Sequence, residues 1–135
     1  MREPERDPGR LEDIIQAAQN IASFTQGFTK AELSADKLRY YAVLKNVEII
    51  GEAAYMLSLA FKEKYSHIPW ANIIGMRHVL VHGYATVLPD LLWHTALVDV
   101  PKLYHQIRSS PLWKTFSLIA LMGEGDGCKT KDSAR

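Results

Sequence analysis

The sequence lacks the features that would cross-link the chain or carry it through a membrane. It has a single cysteine, Cys128, whereas a disulfide framework needs at least two, and we assign this residue no function. The longest stretch without Asp, Glu, Lys or Arg, Ile14 to Thr29, is interrupted by amide and hydroxyl side chains, which excludes a membrane span. Residues 1–10 are charged and contain proline, unlike a signal peptide. We therefore expect a cytoplasmic protein that does not bind membranes.

The sequence also lacks an excess of charge of either sign. Lysine and arginine together number 16, and aspartate and glutamate 15, so the formal net charge is +1. The field of the whole molecule therefore neither recruits nor repels nucleic acid strongly, and any binding of a polyanion must depend on a local patch. With 135 residues, of which 47% are hydrophobic, the chain is long enough to build one core of its own.

Signals for β-strands are nearly absent, whereas apolar residues recur at spacings of three and four along the chain. This pattern predicts an all-α fold. The predicted helices run from about Pro8 to Gln26, from Ser34 or Asp36 to about Tyr65, from Pro69 to Gly83, from Pro89 onward with a kink or tightened last turns at Pro101, and from about Pro111 to Met122. We expect one domain over residues 1–122 and a disordered tail over residues 123–135.

The third predicted helix concentrates residues that can carry chemistry, namely Arg77, His78, His82 and Tyr84. Arg77 and Tyr84 are nearly eclipsed on an ideal helix, and His78 and His82 share a neighbouring face at a spacing of i, i+4. We therefore expect the four side chains to line one groove.

Two interpretations of this cluster involve no RNA. The pattern His-x-x-x-His on a helix can present two imidazoles to a metal ion, but Val79 stands where a zinc peptidase has its glutamate, and no third ligand lies at a motif spacing. A structural role is the second interpretation. A histidine near a helix C-terminus interacts favourably with the helix dipole, and Arg77 would pair with a carboxylate such as Glu48 or Glu52.

The third interpretation is metal-free cleavage of RNA, in which the substrate's own 2′-OH attacks the adjacent phosphorus. That reaction needs a base for the 2′-OH proton, an acid for the leaving 5′ oxygen and a fixed cation against the charge of the phosphorane. Histidine can fill either proton role, and arginine matches phosphoryl oxygens bidentately. One histidine supplies one proton role only, so a two-fold dimer that joins two copies of the segment would complete the site.

The spacing Arg77, four residues, His82, one residue, Tyr84 resembles the R-x4-H-x-Y signature of the HEPN superfamily, specifically its HepT-like toxin branch. Two further stretches carry the same resemblance, Asn-Val-Glu-Ile-Ile-Gly-Glu-Ala at residues 46–53 and Ile-Pro-Trp at residues 68–70, followed by Ile-Ile-Gly-Met at residues 73–76. The resemblance as a whole covers the chain from about Leu11 to Ile107. Their combination, order and spacing make the resemblance specific, whereas R-x4-H alone would be weak.

The resemblance implies an up-and-down bundle of four to five helices that dimerises with the two signatures facing each other. It also implies a metal-independent endoribonuclease toxin without a cofactor, which acts on an RNA such as tRNA or mRNA. The resemblance implies that His82 is the general acid or base and Arg77 the phosphate anchor. It also implies that His78 and Tyr84 are substrate-binding or supporting residues. The antitoxin implied is a minimal nucleotidyltransferase that transfers AMP to Tyr84, which would block the RNA site by bulk and negative charge.

A different class of function stays open beside the enzyme: a non-catalytic helical adaptor that binds a nucleotidyltransferase or a nucleotide. Elsewhere in the chain structural roles are favoured. We expect Glu48 and Glu52 to form salt bridges with Lys45 or Arg77 rather than to bind an ion. Six aromatic side chains are expected in the core or in a dimer interface: Trp70, Trp93, Trp113, Tyr40, Tyr41 and Tyr55. Four basic side chains are expected on a solvated helix face, with the border of an RNA cleft as the alternative: Lys102, His105, Arg108 and Lys114.

Overall fold

A computed structural model describes residues 3–82 and 88–110, and every regular element within these ranges is helical, which confirms the predicted all-α class. A short 3-10 turn over Pro4–Arg6 leads into the first helix. The helices that follow are α1 (Asp7–Thr25), α2 (Lys30–Ala35), α3 (Lys37–Met56), α4 (Leu59–Lys64), α5 (Trp70–His82), α6 (Leu88–His94) and α7 (Val100–Arg108), with a π-helical turn over Thr95–Asp99 between the last two.

The chain divides into two compact units, residues 1–104 and residues 105–135. The described part of the second unit is short, comprising the last turn of α7 and the two serines that follow it. Three of our predictions lie outside the described residues: the helix over 111–122, the domain boundary at residue 122 and the disordered tail. Within the described ranges no helix has the length and apolarity needed to cross a membrane.

Helix α1 begins and ends within one residue of the predicted bounds. Pro8 lies in its first turn, where a missing N–H costs nothing, and Gly27 follows its end with a φ of 81°, a conformation that suits glycine. Its apolar stripe is buried as the spacing predicts, and it includes Leu11, Ile14, Ile15, Ala18 and Ile21. Each large aliphatic side chain buried there contributes about 1.5–3 kcal/mol through the hydrophobic effect.

The second predicted helix starts as expected at Asp36, but its uninterrupted course to about Tyr65 is wrong, because the chain forms two helices there, α3 and α4. Asp36 ends α2 and caps α3, its carboxylate accepting from the backbone N–H of Arg39 at 3.1 Å. Ser58 caps α4, its hydroxyl accepting from the backbone N–H of Phe61 at 3.1 Å. The carboxylate of Asp7, on α1, accepts from Ser58 N at 2.9 Å and from Ser58 Oγ at 2.7 Å. This buried tertiary contact stabilises the non-helical residues between α3 and α4.

Helix α3 packs against both α1 and α5 and forms the centre of the described fold. Two residues that its periodicity places inside, Leu38 and Tyr41, are instead 88% and 60% exposed. Further along, Val47, Ile50 and Ala54 are buried as expected. The apolar stripe is therefore covered by neighbouring helices only from Val43 onward.

Helix α5 follows the predicted span, 70–82 against 69–83. The carbonyl of Pro69 accepts from Ile73 N at 3.1 Å, which starts the helix. Trp70 is buried, its ring centroid lies 5.9 Å from that of Phe61, and its Nε1–H donates to the carbonyl of Tyr65 at 3.1 Å. The first turn of α5 is therefore anchored in the core.

The fourth predicted helix is interrupted just before Pro101. Proline has no N–H and cannot form the i→i−4 hydrogen bond, so the helix widens over Thr95–Asp99, where the N–H of Val100 donates to the carbonyl of Thr95. The predicted tightening of the turns at Pro101 is wrong, since the turn before it is widened, and the predicted kink stays a prediction.

Candidate functional site

Helix α5 carries three of the four predicted site residues, Arg77, His78 and His82. Tyr84 lies outside the described residues. Arg77 is half-buried, whereas both histidines are exposed. The three side chains therefore differ in their surroundings, although they belong to one helix.

Arg77 lies directly over a glycine of the neighbouring helix. A Cβ added to Gly51 of α3 would overlap the Cβ of Arg77 and would lie 2.9 Å from its Cγ and 3.0 Å from its Cδ. The three nearest atoms all belong to Arg77. The aliphatic stem of Arg77 therefore crosses α3 at the one place where α3 has no side chain.

The guanidinium of Arg77 faces a carboxylate of the same helix α3. Its Nε lies 3.4 Å from Oε1 of Glu52, and the two side chains are 35% and 58% exposed. Within the described residues this buried Nε has no hydrogen-bond partner, so the contact is an electrostatic attraction without hydrogen-bond geometry. The predicted pairing of Arg77 with a glutamate is confirmed. An ion pair this exposed adds at most about 1 kcal/mol to stability.

Arg77 opens onto a groove of about 400 Å³ between α1, α3 and α5. Its lining consists of Arg10, Asp13, Lys45, Glu48, Ile49, Glu52, Ala53 and Arg77. Three cations and three carboxylates thus share one depression. Nζ of Lys45 lies 4.0 Å from Oε1 of Glu48, which confirms the second expected salt bridge. Negative charges beside Arg77 disfavour deep entry of a phosphate, so a phosphate would meet Arg77 at the exposed end of its guanidinium.

The groove also contains two residues that the motif did not indicate, Arg10 and Asp13 of α1. They are more than sixty positions away from Arg77 in the sequence, and only the packing of α1 on α3 brings them near it. Their i, i+3 spacing on the polar face of α1 is the one signal available, and it is common to most surface helices.

The two histidines lie close to each other on α5. Their ring centroids are 4.6 Å apart with the planes inclined at 50°. His82 is five positions after Arg77, which corresponds to roughly 140° around an α-helix. The lining of the groove includes Arg77 and neither histidine. The expectation that Arg77, His78, His82 and Tyr84 line one groove stays a prediction.

Among the described residues no group of three or more His, Cys, Asp or Glu side chains is placed to hold a metal ion. The pair His78 and His82 thus has no third protein ligand there. Both rings are exposed, and they can exchange protons with solvent or with a bound substrate.

The other side chains singled out from the sequence have mixed outcomes. Trp70 is in the core, Trp93 and Tyr40 are half-buried, and Tyr41 and Tyr55 are exposed. Three of the four basic residues are exposed on α7, namely Lys102, His105 and Arg108. Trp113 and Lys114 lie outside the described residues.

The fold and the side chains of α5 define a class of protein, an all-α protein that presents an anchored arginine and two exposed histidines from one helix. More particularly, the chain belongs to the HepT-like family, because that family, described as Ribonuclease HepT-like, matches residues 14–110. The match spans the groove residues of α3 and both the arginine and the histidines of α5.

Individual relatives agree with this family. A protein of Methanocaldococcus jannaschii named as a putative RNase is 35% identical over 98 residues, which cover 73% of this chain and 90% of the relative. A protein of Caldanaerobacter subterraneus subsp. tengcongensis with the same kind of name is 35% identical over 98 residues, 73% of this chain and 88% of the relative. A Thermococcus cleftensis protein named as a probable ribonuclease HepT is 38% identical over 93 residues, 69% of this chain and 84% of the relative. A comparison with solved structures found no match.

These comparisons confirm the resemblance stated from the R-x4-H-x-Y signature and its upstream motifs. They also confirm, at the level of the family, the predicted class of enzyme, an endoribonuclease.

Proposed function

We propose that this protein is a metal-independent endoribonuclease toxin that acts at a site completed by two copies of the chain. The observation that carries the proposal is the placement of Arg77 and His82 on one helix of a HepT-like chain, the arginine held against α3 and the histidine exposed. Arg77 would bind the phosphate and the developing charge of the phosphorane, and His82 would transfer protons.

The reaction proposed needs no water and no cofactor. A base removes the proton of the 2′-OH, and the 2′ oxygen bonds to the adjacent phosphorus while the bond from phosphorus to the 5′ oxygen breaks. A protonated histidine gives its proton to that leaving oxygen. The products are a 2′,3′-cyclic phosphate and a 5′-hydroxyl, and the acid–base pair ends with its protonation states exchanged.

A dimer is part of the proposal because one histidine supplies one proton role only. A single copy would offer His82 as the base or as the acid, and the reaction needs both. A second copy related by two-fold symmetry would contribute its own arginine and histidine to a shared cleft. Two histidines then supply the base and the acid.

The proposal includes a means of control. The R-x4-H-x-Y signature places Tyr84 two residues after His82, and we propose that a cognate minimal nucleotidyltransferase neutralises the enzyme by transferring AMP to the Tyr84 hydroxyl. The added phosphate and nucleoside would stand beside the proton-transferring residue, where they would exclude RNA by bulk and by charge repulsion.

The first experiment is an RNase assay on tRNA and total RNA in EDTA with unmodified protein, comparing wild type, His82→Ala and His67→Ala. His67 is an exposed histidine that precedes α5, so His67→Ala controls for the loss of an imidazole as such. We expect wild type and His67→Ala to leave 2′,3′-cyclic phosphate ends, and His82→Ala to lose at least about a hundredfold in rate.

Retained cleavage by a well-folded His82→Ala variant would overturn the mechanism. No cleavage by wild type, in protein shown by its mass to carry no AMP, would favour the non-catalytic adaptor that binds a nucleotidyltransferase or a nucleotide.

A further inference from the structure

A glycine occupies an unusual place in α3. Gly51 is buried and lies in the interior of a 20-residue helix, where glycine is among the least favourable residues because of its backbone entropy. Two other described helices also contain a glycine, Gly9 in α1 and Gly75 in α5, and a Cβ at either would meet nothing within 4 Å. Gly51 differs from both, since a methyl group there would meet Arg77 at once.

The overlap cannot be relieved by a rotation of the arginine. The atom that a Cβ at Gly51 would strike is the Cβ of Arg77, which is fixed to the backbone of α5. Since the contact is at the root of the side chain, any residue larger than glycine at position 51 must push α5 away from α3 or redirect the stem of Arg77. The guanidinium would then leave its place beside Glu52, where Nε is now buried at 3.4 Å from Oε1.

We infer that Gly51 is a positioning residue for Arg77, and this inference rests on the proposed role of Arg77 as phosphate anchor. The bare backbone at position 51 lets the stem of Arg77 cross α3 in van der Waals contact. The aliphatic part of the Arg77 side chain is thereby held between two helices. This contact restricts its rotamers and fixes the position of the guanidinium at the groove. Because Arg77 and His82 share α5, the same contact also sets how far α5 stands from α3.

The experiment compares Gly51→Ala with Gly9→Ala in the full chain, and its first measurement does not need RNA. The Nε–H cross-peak of Arg77 in a ¹⁵N NMR spectrum, assigned through Arg77→Lys, reports the surroundings of the buried Nε. We expect slow exchange with solvent in wild type and in Gly9→Ala, and a shifted, faster-exchanging peak in Gly51→Ala. An unchanged peak in Gly51→Ala would overturn the inference.

The second measurement tests the consequence for RNA binding, with a 2′-O-methyl RNA oligonucleotide that cannot be cleaved. The slope of log K against log salt concentration falls by about 0.7 for each phosphate of a single strand that the protein no longer neutralises. We expect this reduction in Gly51→Ala and in Arg77→Ala, and none in Gly9→Ala. A change that is only structural would weaken binding without matching the slope of Arg77→Ala, and that result would contradict a positioning role.

A third comparison covers the case in which Gly51→Ala does not fold. Arg77→Gly removes the three atoms that lie nearest to a Cβ at position 51. Adding Gly51→Ala to Arg77→Gly should therefore leave Tm unchanged or raise it, because alanine is the better helix former, whereas the same substitution lowers Tm in the wild-type background. An equal decrease of Tm in both backgrounds would show that the glycine serves another neighbour. The NMR and Tm outcomes hold whether or not wild type cleaves RNA, so they are separable from a failure of the proposed function.

Discussion

The Arg77 side chain has a packed aliphatic part and a partly exposed guanidinium. Its Cβ, Cγ and Cδ lie against α3, and its Nε is buried, yet 35% of the side chain is exposed. Burial of the stem removes much of the rotamer freedom that a surface arginine would lose on binding a phosphate. Glu52 partly neutralises the charge of Arg77, and the exposure of this ion pair keeps it weak, so that under the proposed function an RNA phosphate would replace the carboxylate.

At the scale of single residues, the proposed neutralisation by AMP transfer to Tyr84 can be tested by removing one hydroxyl group. Tyr84→Phe should cleave RNA as wild type does but should gain no AMP when incubated with the nucleotidyltransferase and ATP. Phenylalanine keeps the ring and lacks the hydroxyl that would accept the nucleotidyl group. Intact-mass spectrometry after incubation checks the modification, and RNA cleavage afterwards checks the silencing.

Tyr41→Phe is the matched control for that experiment, because Tyr41 is an exposed tyrosine on α3, outside the signature. It should be modified and silenced like wild type. A Tyr84→Phe protein that still gains AMP and loses activity would refute the role proposed for Tyr84.

At the scale of elements, two short helices begin at capping residues, and one of these caps is also bonded to a distant part of the chain. Helix α2 has a complete capping box, in which the Thr29 hydroxyl accepts from Glu32 N and the Glu32 carboxylate accepts from Thr29 N. Helix α4 has a Ser58 cap whose hydroxyl also donates to the buried Asp7 carboxylate. The first cap is local and exposed, and the second ties α4 to α1.

Ser58→Ala should therefore destabilise the protein more than the removal of an ordinary cap does. The substitution removes the hydrogen bond to Phe61 N and leaves Oδ2 of Asp7, a residue only 5% exposed, without its hydroxyl partner. The two effects together cost about 2–4 kcal/mol of unfolding free energy, measured by urea denaturation.

Thr29→Ala is the comparison, since it removes an exposed cap and should cost about 1 kcal/mol. Equal destabilisation in the two variants would mean that the contact between Asp7 and Ser58 contributes nothing beyond the cap itself.

At the scale of the whole molecule, charge does not steer RNA toward the groove. The net charge is +1, and the groove pairs three cations with three carboxylates. Long-range attraction is therefore small, and affinity must come from close contacts at an assembled site. In the proposed dimer a second Arg77 and a second His82 would supply such contacts, while the charges of the two grooves would stay balanced.

The dimer can be tested by mixing wild type with His82→Ala under conditions in which subunits exchange. If a functional cleft needs both histidines, equal amounts should give about one quarter of the activity of the same total amount of wild type, since random pairing makes a quarter of the dimers fully wild type. If each chain acts alone, the mixture should retain about one half. Analytical ultracentrifugation of the same mixture reports the assembly state.

His67→Ala mixed with wild type is the control, and it should retain full activity. A monomer that is active at the assay concentration would contradict the proposal of a composite site directly.

Much of the fold follows from local spacing, and the failures have a common cause. The bounds of α1 and α5 are within one residue of prediction because their apolar stripes and the prolines at their starts act over a single turn, as does Gly27 after α1. The long second helix was wrong because its apolar period continues through Leu57 and Phe61, while the break depends on Asp7, fifty-one residues away in the sequence. Leu38 and Tyr41 were misplaced because periodicity identifies a face and does not show where a neighbour ends.

The candidate site divides in the same way. The sequence by itself determined the helical class, the R-x4-H spacing on α5 and the membership of the HepT-like family, because these depend on residue types at short spacings. The tertiary structure decided that the stem of Arg77 is held over Gly51 and that Arg10 and Asp13 share its groove. Those relations arise where α1, α3 and α5 pack, since contact between helices depends on their crossing and register, which no single segment encodes.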